Sequence, residues 1–119
     1  MKKIVLFVIL LFIVFSCKSS FKGFNTGNFT LVNNSNKVVE FVYIAPEGEF
    51  YGTSKNVNIE KGQSYEENGL EAKIYDIAID FKDEFNTFNS KKDKSLCLSI
   101  EKGITKTWVI DESGNINRE

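Results

Sequence analysis

Residues 70–81 have the sequence LEAKIYDIAIDF, and this stretch decides the fold class. From position 75 onward every second residue is large and apolar: Tyr75, Ile77, Ile79 and Phe81. The residues between them are small or acidic: Asp76, Ala78 and Asp80. Alternation with period two is typical of a strand with one face in the core and the other toward solvent. Repeated Ile and Tyr disfavour a helix here, so the stretch predicts a half-buried β-strand.

β-Rich segments separated by turns occupy the chain from Asn28 onward. Residues 38–44, VVEFVYI, are apolar on both faces except for Glu40, which predicts a central strand covered on both sides. Further strands are expected at 28–32, 57–59, 96–100 and 105–110, with turns at 33–36, 66–69 and 111–115. Residues 82–94 form a long polar loop or a short helix, and 117–119 a polar tail.

About six or seven short strands predict an all-β fold, an antiparallel β-sandwich or small barrel, in a single domain over residues 28–119. The segment has no long amphipathic helical pattern. We expect the core to contain Phe29, Leu31, Phe41, Tyr43, Tyr75, Ile77, Ile79, Leu98, Ile100, Trp108 and Ile110.

The amino terminus has the pattern of a secretory signal. Lys2 and Lys3 precede twelve apolar residues at 4–15, and the small Ser16 follows. As a helix the apolar run would span roughly 18 Å, whereas the hydrocarbon core is roughly 30 Å thick. We therefore expect residues 1–16 to be a cleaved signal peptide; the alternative is an uncleaved anchor.

Residues 14–17, Val-Phe-Ser-Cys, resemble the bacterial lipobox, in which an aliphatic residue and a small residue precede a cysteine. The resemblance implies that the thiol of Cys17 carries a diacylglyceryl group and that the protein is membrane-anchored in the cell envelope. The alternative is an ordinary secretory signal in which the cysteine falls by chance. Residues 17–27 would then be a tether, with Lys18 and Lys22 close to anionic headgroups. By analogy with enteric sorting, Lys18 favours the outer membrane over the inner.

A second resemblance covers about residues 28–82. Asn33-Asn34-Ser35, the strand end Tyr43-Ile44-Ala45-Pro46, the turn Gly62-Gln63-Ser64 and Tyr75-Asp76-Ile77 resemble a group of small exported bacterial domains without an assigned activity. The resemblance implies a β-sandwich and an envelope location, and it implies no chemistry.

The composition disfavours several functional classes. No histidine occurs, which excludes Ser-His-Asp and Cys-His catalysis, and neither GxxxxGKS nor GxGxxG is present. The formal net charge of −1 gives no basic face for nucleic acid. If Cys17 is lipidated, Cys97 has no partner for a disulfide, and its apolar neighbours predict a buried, inert thiol. We expect no cofactor and no enzymatic activity; a histidine-free carboxylate enzyme is the remote alternative.

Two acidic groups offer oxygen ligands of the kind that Ca²⁺ takes: Asp80, Asp83 and Glu84 with Asn86, and Asp111 with Ser113 and Asn115. Neither matches a complete EF-hand loop, and Asp and Asn favour turns for local reasons. We therefore interpret both as turns and predict no metal site.

Aromatic residues in loops are the remaining candidates. Phe50 and Tyr51, between Gly48 and Gly52, would grip a glycan or protein if exposed, or plug one end of the core if folded inward. Phe85 and Phe88 allow the same two interpretations. The resulting hypothesis is a non-catalytic envelope lipoprotein that binds an envelope protein or glycan. The alternative is a surface-exposed structural or antigenic lipoprotein without a defined ligand.

Overall fold

The computed structural model describes residues 25–49, 55–85 and 87–118. In these ranges the chain forms strands and one short 3-10 helix at Lys94–Leu96. The strands are β1 (Thr26–Asn33), β2 (Val39–Pro46), β3 (Lys55–Ile59), β4 (Gln63–Glu71), β5 (Ile74–Phe81), β6 (Phe88–Asn89), β7 (Leu98–Ser99), β8 (Thr105–Ile110) and β9 (Ile116–Arg118).

The strands form two sheets, which confirms the all-β fold class. One sheet has the order β4-β1-β8-β9; the other has the order β3-β2-β5-β6, with β7 also paired to β5. The pairs are antiparallel except for β1 and β8, which run parallel, with Asn28 opposite Thr105 and Asn33 opposite Ile110. Between these two strands the chain builds the entire second sheet. It then returns to the end at which β1 began, so β8 runs beside β1 in the same direction.

Strand β5 has the predicted alternation: Tyr75, Ile77, Ile79 and Phe81 are buried on its core face. Strand β2 is central, between β3 and β5, as predicted. Of the expected core residues, Phe41 alone is half-buried. A register shift between Val39 and Phe41 turns Val39 and Val42 toward the core and Phe41 away from it.

Three local predictions were wrong. The turn predicted at 66–69 is part of β4, a polar strand at the sheet edge that hydrogen-bonds to β1. The strand predicted at 96–100 is reduced to β7, because the 3-10 helix occupies the residues before it. The polar tail expected at 117–119 contributes to β9, which pairs with β8 through the turn at 111–115.

The predicted turn after β1 is held by buried side-chain hydrogen bonds of Asn33. The side-chain amide of Asn33 is 0% exposed and donates to the carbonyls of Lys37 (2.7 Å) and Ile59 (2.8 Å). Its oxygen accepts from the backbone N–H and hydroxyl of Ser35. Because a buried amide is tolerated when its bonds are made, this turn fixes the β1–β2 connection against the end of β3.

The two lateral sides of the sandwich differ. On one side β3 and β4 follow each other directly, and the ammonium of Lys55 pairs with the carboxylate of Glu67 across them. Tyr65 packs against the core there and donates a hydrogen bond to Glu67 at 2.9 Å. On the other side the edges are the very short strands β6 and β9, and a cleft separates them. The sandwich is therefore closed along one side and open along the other.

Candidate functional site

Several predicted site residues lie outside the described residues: the lipidation residue Cys17, the aromatic pair Phe50 and Tyr51, and Asn86. Of the second aromatic pair, Phe85 is 87% exposed, so it projects into solvent. Phe88 is half-buried and packs edge-to-face on Phe81, with ring centroids 5.9 Å apart. Phe85 therefore matches the interpretation of an exposed loop aromatic, and Phe88 matches that of an aromatic ring folded inward against the core.

One residue of each acidic group, Asp111 and Glu84, has a local structural role. The Oδ1 atom of Asp111 accepts the backbone N–H groups of Ser113 and Asn115, both at 2.9 Å, which organises the turn between β8 and β9. Glu84 pairs with Lys37 at 2.8 Å. Within 25–49, 55–85 and 87–118, no three acidic or cysteine side chains are grouped so as to hold a metal ion.

A concave feature of the described residues lies on the open side of the sandwich, between the β6 segment and β9. This binding cleft has a volume of about 390 Å³. Its walls come from both sheets and from the 3-10 helix: Thr87, Phe88, Asn89, Lys92, Asp93, Ser95, Leu96, Asn115, Ile116 and Arg118. Clefts of this size accommodate small organic ligands or a short stretch of a polymer.

Arg118 enters the cleft from the core-facing side of its sheet. It lies directly opposite Trp108 in the β8–β9 pair, so both side chains project from the same face. Trp108 is 3% exposed and is held edge-to-face by Phe29 at 5.4 Å. The guanidinium carbon lies 5.9 Å from the centroid of the indole, within cation–π range. In the described part of the chain no hydrogen bond or ion pair engages this guanidinium.

Lys92 and Asp93 form the opposite wall. A tight turn places them, because the backbone N–H groups of both donate to the carbonyl of Asn89, at 3.1 and 3.0 Å. Asp93 caps the 3-10 helix, accepting the N–H (3.1 Å) and hydroxyl (2.7 Å) of Ser95. These bonds, with the charge of Arg118, lower the pKa of Asp93. The ammonium of Lys92 has no partner among the residues described.

A second polar feature is the buried carboxylate of Asp76, which is 3% exposed. It accepts the backbone N–H of Gly48 at 3.0 Å and the hydroxyl of Ser90 at 2.8 Å. Burial raises the pKa of Asp76, but these hydrogen bonds and the charges of Lys91 and Lys94 more than compensate, so the pKa is lowered. The alternation had predicted a solvent-facing Asp76, which was wrong. Asp76 is buried because the residues after β6 and the β2–β3 connection pack beside it. Its hydrogen bonds to Ser90 and Gly48 join both segments to β5.

Cys97 lies next to this carboxylate and is half-buried, less covered than the sequence predicted. Its Sγ atom is 3.8 Å from an oxygen of Glu47 and 4.0 Å from one of Asp76. Burial, and then the charges of these two carboxylates, raise the thiol pKa. The thiol is therefore protonated at neutral pH and a poor nucleophile.

No protein-family model matches the chain, and no curated protein or solved structure is significantly similar to it. Its site is therefore interpreted from its own chemistry. The cleft presents two cations, one carboxylate occupied in a cap, and amide side chains such as that of Asn115. Such an arrangement binds a ligand through hydrogen bonds and charge.

Sequence reasoning missed this cleft. Lys92 and Asp93 belong to a segment expected to be a loop or short helix, and Arg118 to an expected tail. Nothing in the sequence gives the register that places Arg118 opposite Trp108. The available signal was the alternation of Ile116, Asn117 and Arg118 directly after a turn, which is the pattern of a short returning strand.

Proposed function

We infer that this chain is a lipid-anchored bacterial envelope protein whose β-sandwich is a non-catalytic binding module, and that the cleft beside β9 is its binding surface. The observation that carries the proposal is the open side of the sandwich. There, cationic and amide side chains from both sheets converge on about 390 Å³, while the opposite side is closed by β3 and β4.

The anchor is supported by the lipobox resemblance at residues 14–17. The described residues contain no helix long and apolar enough to cross a membrane. From Cys17 to Thr26, where β1 begins, nine residues span at most about 30 Å. An acylated Cys17 would therefore hold the domain within a few tens of ångströms of the bilayer, with the start of β1 nearest to it.

The same geometry leaves the cleft accessible. β1 and β8 run parallel away from the anchored end, and β9 turns back from their far end, where Ile116 pairs with Ile110. The cleft follows β9 along the flank of the domain. A polymer lying beside the membrane would reach it without passing beneath the domain.

A binding role accounts for the polar groups better than a catalytic one. The Ser90–Asp76 pair is the one described hydroxyl–carboxylate contact that is buried, and Ser90 is 0% exposed, so no substrate reaches its oxygen. In the cleft, Asp93 is bonded to Ser95, and its lowered pKa disfavours a role as a general acid at neutral pH.

Two measurements test the proposal. Intact mass of the protein extracted from membranes should equal residues 17–119 plus acyl chains, and the added mass should be lost in Cys17→Ser. An unmodified chain cleaved elsewhere would overturn the anchor and make the protein a soluble exported one.

The binding surface is tested by filling the cleft. Asn115→Trp places an indole in it, whereas Ser99→Trp places the same group on exposed β7 as a matched control. We expect wild type and Ser99→Trp to co-sediment with the insoluble envelope glycan of the producing cells, and Asn115→Trp to remain in solution. Equal co-sedimentation of all three would exclude the cleft. No co-sedimentation of any would favour the alternative of a surface lipoprotein without a ligand.

A further inference from the structure

We propose that the cleft binds an anionic saccharide, with the guanidinium of Arg118 as the seat of its carboxylate or phosphate group and Lys92 as a second cation. The inference rests on the proposed binding function and names the ligand class. It starts from the placement of Arg118, an exposed cationic side chain on the core-facing side of the edge strand β9.

Arg118 is exposed, and its neighbours on the core-facing side of the strand pair are apolar. Its partner across the strand pair is Trp108, and the next inward pair, Ile110 and Ile116, is apolar. An apolar residue at 118 would extend that row over the indole. The chain has a guanidinium there instead, 5.9 Å from the centroid of the ring and without a hydrogen-bonded partner in the described residues. Attraction to the ring holds the guanidinium beside the cleft, and its planar fork can bind a carboxylate or phosphate through two parallel hydrogen bonds.

The opposite wall carries one cation and one carboxylate, those of Lys92 and Asp93. Residues 91–94 are Lys-Lys-Asp-Lys, and the one carboxylate among them, that of Asp93, is used by Ser95. Lys92 lines the cleft with a free ammonium. Arg118 and the lysines of residues 91–94 outnumber the single carboxylate of Asp93, so this flank has a local excess of positive charge, which attracts an anion.

A saccharide fits the rest of the lining better than a peptide does. Protein interfaces are centred on buried aromatic and aliphatic anchors. In the cleft the described apolar surface is limited to the half-buried ring of Phe88 and to Leu96 and Ile116. Around them stand the amide of Asn115 and the hydroxyl of Ser95, which suit the many hydroxyl groups of a sugar. One aromatic ring, several neutral polar groups and two cations together match an acidic sugar unit.

An alternative role for Arg118 is edge protection, since inward-pointing charges on edge strands prevent pairing with another chain. That role makes a different prediction. Loss of the charge would increase self-association of the protein and leave its affinity for polymers unchanged.

The test uses the mature protein extracted in an uncharged detergent and titrated with four polymers. Polygalacturonate carries carboxylates, phosphomannan carries phosphates, dextran is neutral, and poly-L-glutamate is an anionic polypeptide. We expect binding to one or both acidic saccharides, weakened by raising the salt concentration, since exposed charges are screened. The preferred saccharide identifies the source of the anionic group. Dextran and poly-L-glutamate should bind at least about tenfold more weakly.

The variants separate the contributions. Arg118→Gln should weaken acidic-saccharide binding at least about tenfold, the scale of a lost charged hydrogen bond. Lys92→Gln should weaken it about two- to fivefold, because an exposed ammonium is a point charge that contributes little and lacks the two-pronged geometry of the guanidinium. Arg118→Lys should recover part of the loss, since it restores the charge without the fork. Lys82→Gln makes the same chemical change as Lys92→Gln, but on an exposed residue outside the cleft, and should bind acidic saccharides like wild type. A cooperative urea unfolding transition, followed by the emission of Trp108, verifies that each variant is folded.

The following outcomes would overturn the inference. Arg118→Gln binds like wild type, with or without greater self-association. Dextran or poly-L-glutamate binds as tightly as the acidic saccharides. No acidic saccharide binds at all. Failure of the proposed function is distinguished by the cleft-filling variant: if Asn115→Trp loses envelope glycan while Arg118→Gln retains it, the cleft is the binding surface and its ligand is neutral.

Discussion

The carboxylate of Asp76 is expected to stabilise the whole sandwich, and replacing it by an amide tests this. Asp76 accepts two donors, the N–H of Gly48 at 3.0 Å and the hydroxyl of Ser90 at 2.8 Å. The Ser90 oxygen is itself committed, because it accepts the N–H of Ile77 at 2.9 Å, so its own proton has to go to Asp76. An amide has one acceptor oxygen. In Asp76→Asn the –NH₂ group would therefore face one of the two donors.

The magnitude follows from the burial of the site. A buried donor left without an acceptor costs about 1–3 kcal/mol, and the side chain is only 3% exposed, so water does not replace the lost bond. For a domain of this size each kcal/mol shifts Tm by roughly 4–8 °C. A loss of about 2 kcal/mol thus lowers Tm by roughly 8–16 °C.

The assay is urea or thermal unfolding followed by fluorescence, since Trp108 is the one tryptophan of the chain and is buried. Asp83→Asn makes the same chemical change on an exposed residue with φ of 65°, a backbone conformation that Asn tolerates, and serves as the control. If Asp76→Asn unfolds at the same denaturant concentration as Asp83→Asn, the reasoning is refuted.

The pH dependence gives a second check. Because the pKa of Asp76 is lowered in the folded state, its contribution is present above the ordinary value near 3.8 and is lost as pH falls through the folded value. The stability gap between wild type and Asp76→Asn should therefore be full at pH 7 and should narrow in acid. A gap that is the same at pH 3 and at pH 7 over the same denaturant range, or one that widens in acid, contradicts the assignment.

Two further predictions concern packing and thiol chemistry. Gly27→Ala should lower the free energy of unfolding by about 1–3 kcal/mol, measured by urea titration. The added Cβ would collide with the backbone carbonyl oxygen of Glu101, which cannot rotate away. The control Ser99→Ala, a change at an exposed residue, should unfold like wild type in the same titration. Cys97, with its raised thiol pKa, should react with iodoacetamide more slowly in the folded Cys17→Ser protein than in the same protein in urea at pH 8. Equal rates would show that burial does not protect it.

The local sequence pattern was sufficient to predict strands and core residues wherever a strand has a buried face. The alternation in β5 and the apolar run in β2 predicted their type, and nearly all the expected core residues are buried, from Phe29 in β1 to Ile110 in β8. These predictions succeed because burial of apolar surface dominates the stability of a strand, and the sequence shows it as an apolar residue at every second position.

Prediction from the local sequence failed where the conformation of a segment depends on the strand that pairs with it. Residues 66–69 have the composition of a turn, yet they form part of β4 because the strand continues beside β1 across a register irregularity between Gly27 and Phe29. Phe41 is shifted by a register irregularity that no local property of the chain reveals. Strand propensity spans only about 1 kcal/mol, and neighbouring strands readily override it.

The sequence by itself determined the all-β class, most of the strands and the core. It also supports the expectation of a lipid anchor at Cys17. Only the tertiary structure decided that β1 and β8 run parallel, that Asp76 is buried, and that Arg118 projects into a cleft on the open side of the sandwich. The reason is physical: core burial is encoded residue by residue along the chain. The environment of a polar side chain depends on which strands and loops, distant in sequence, are brought beside it.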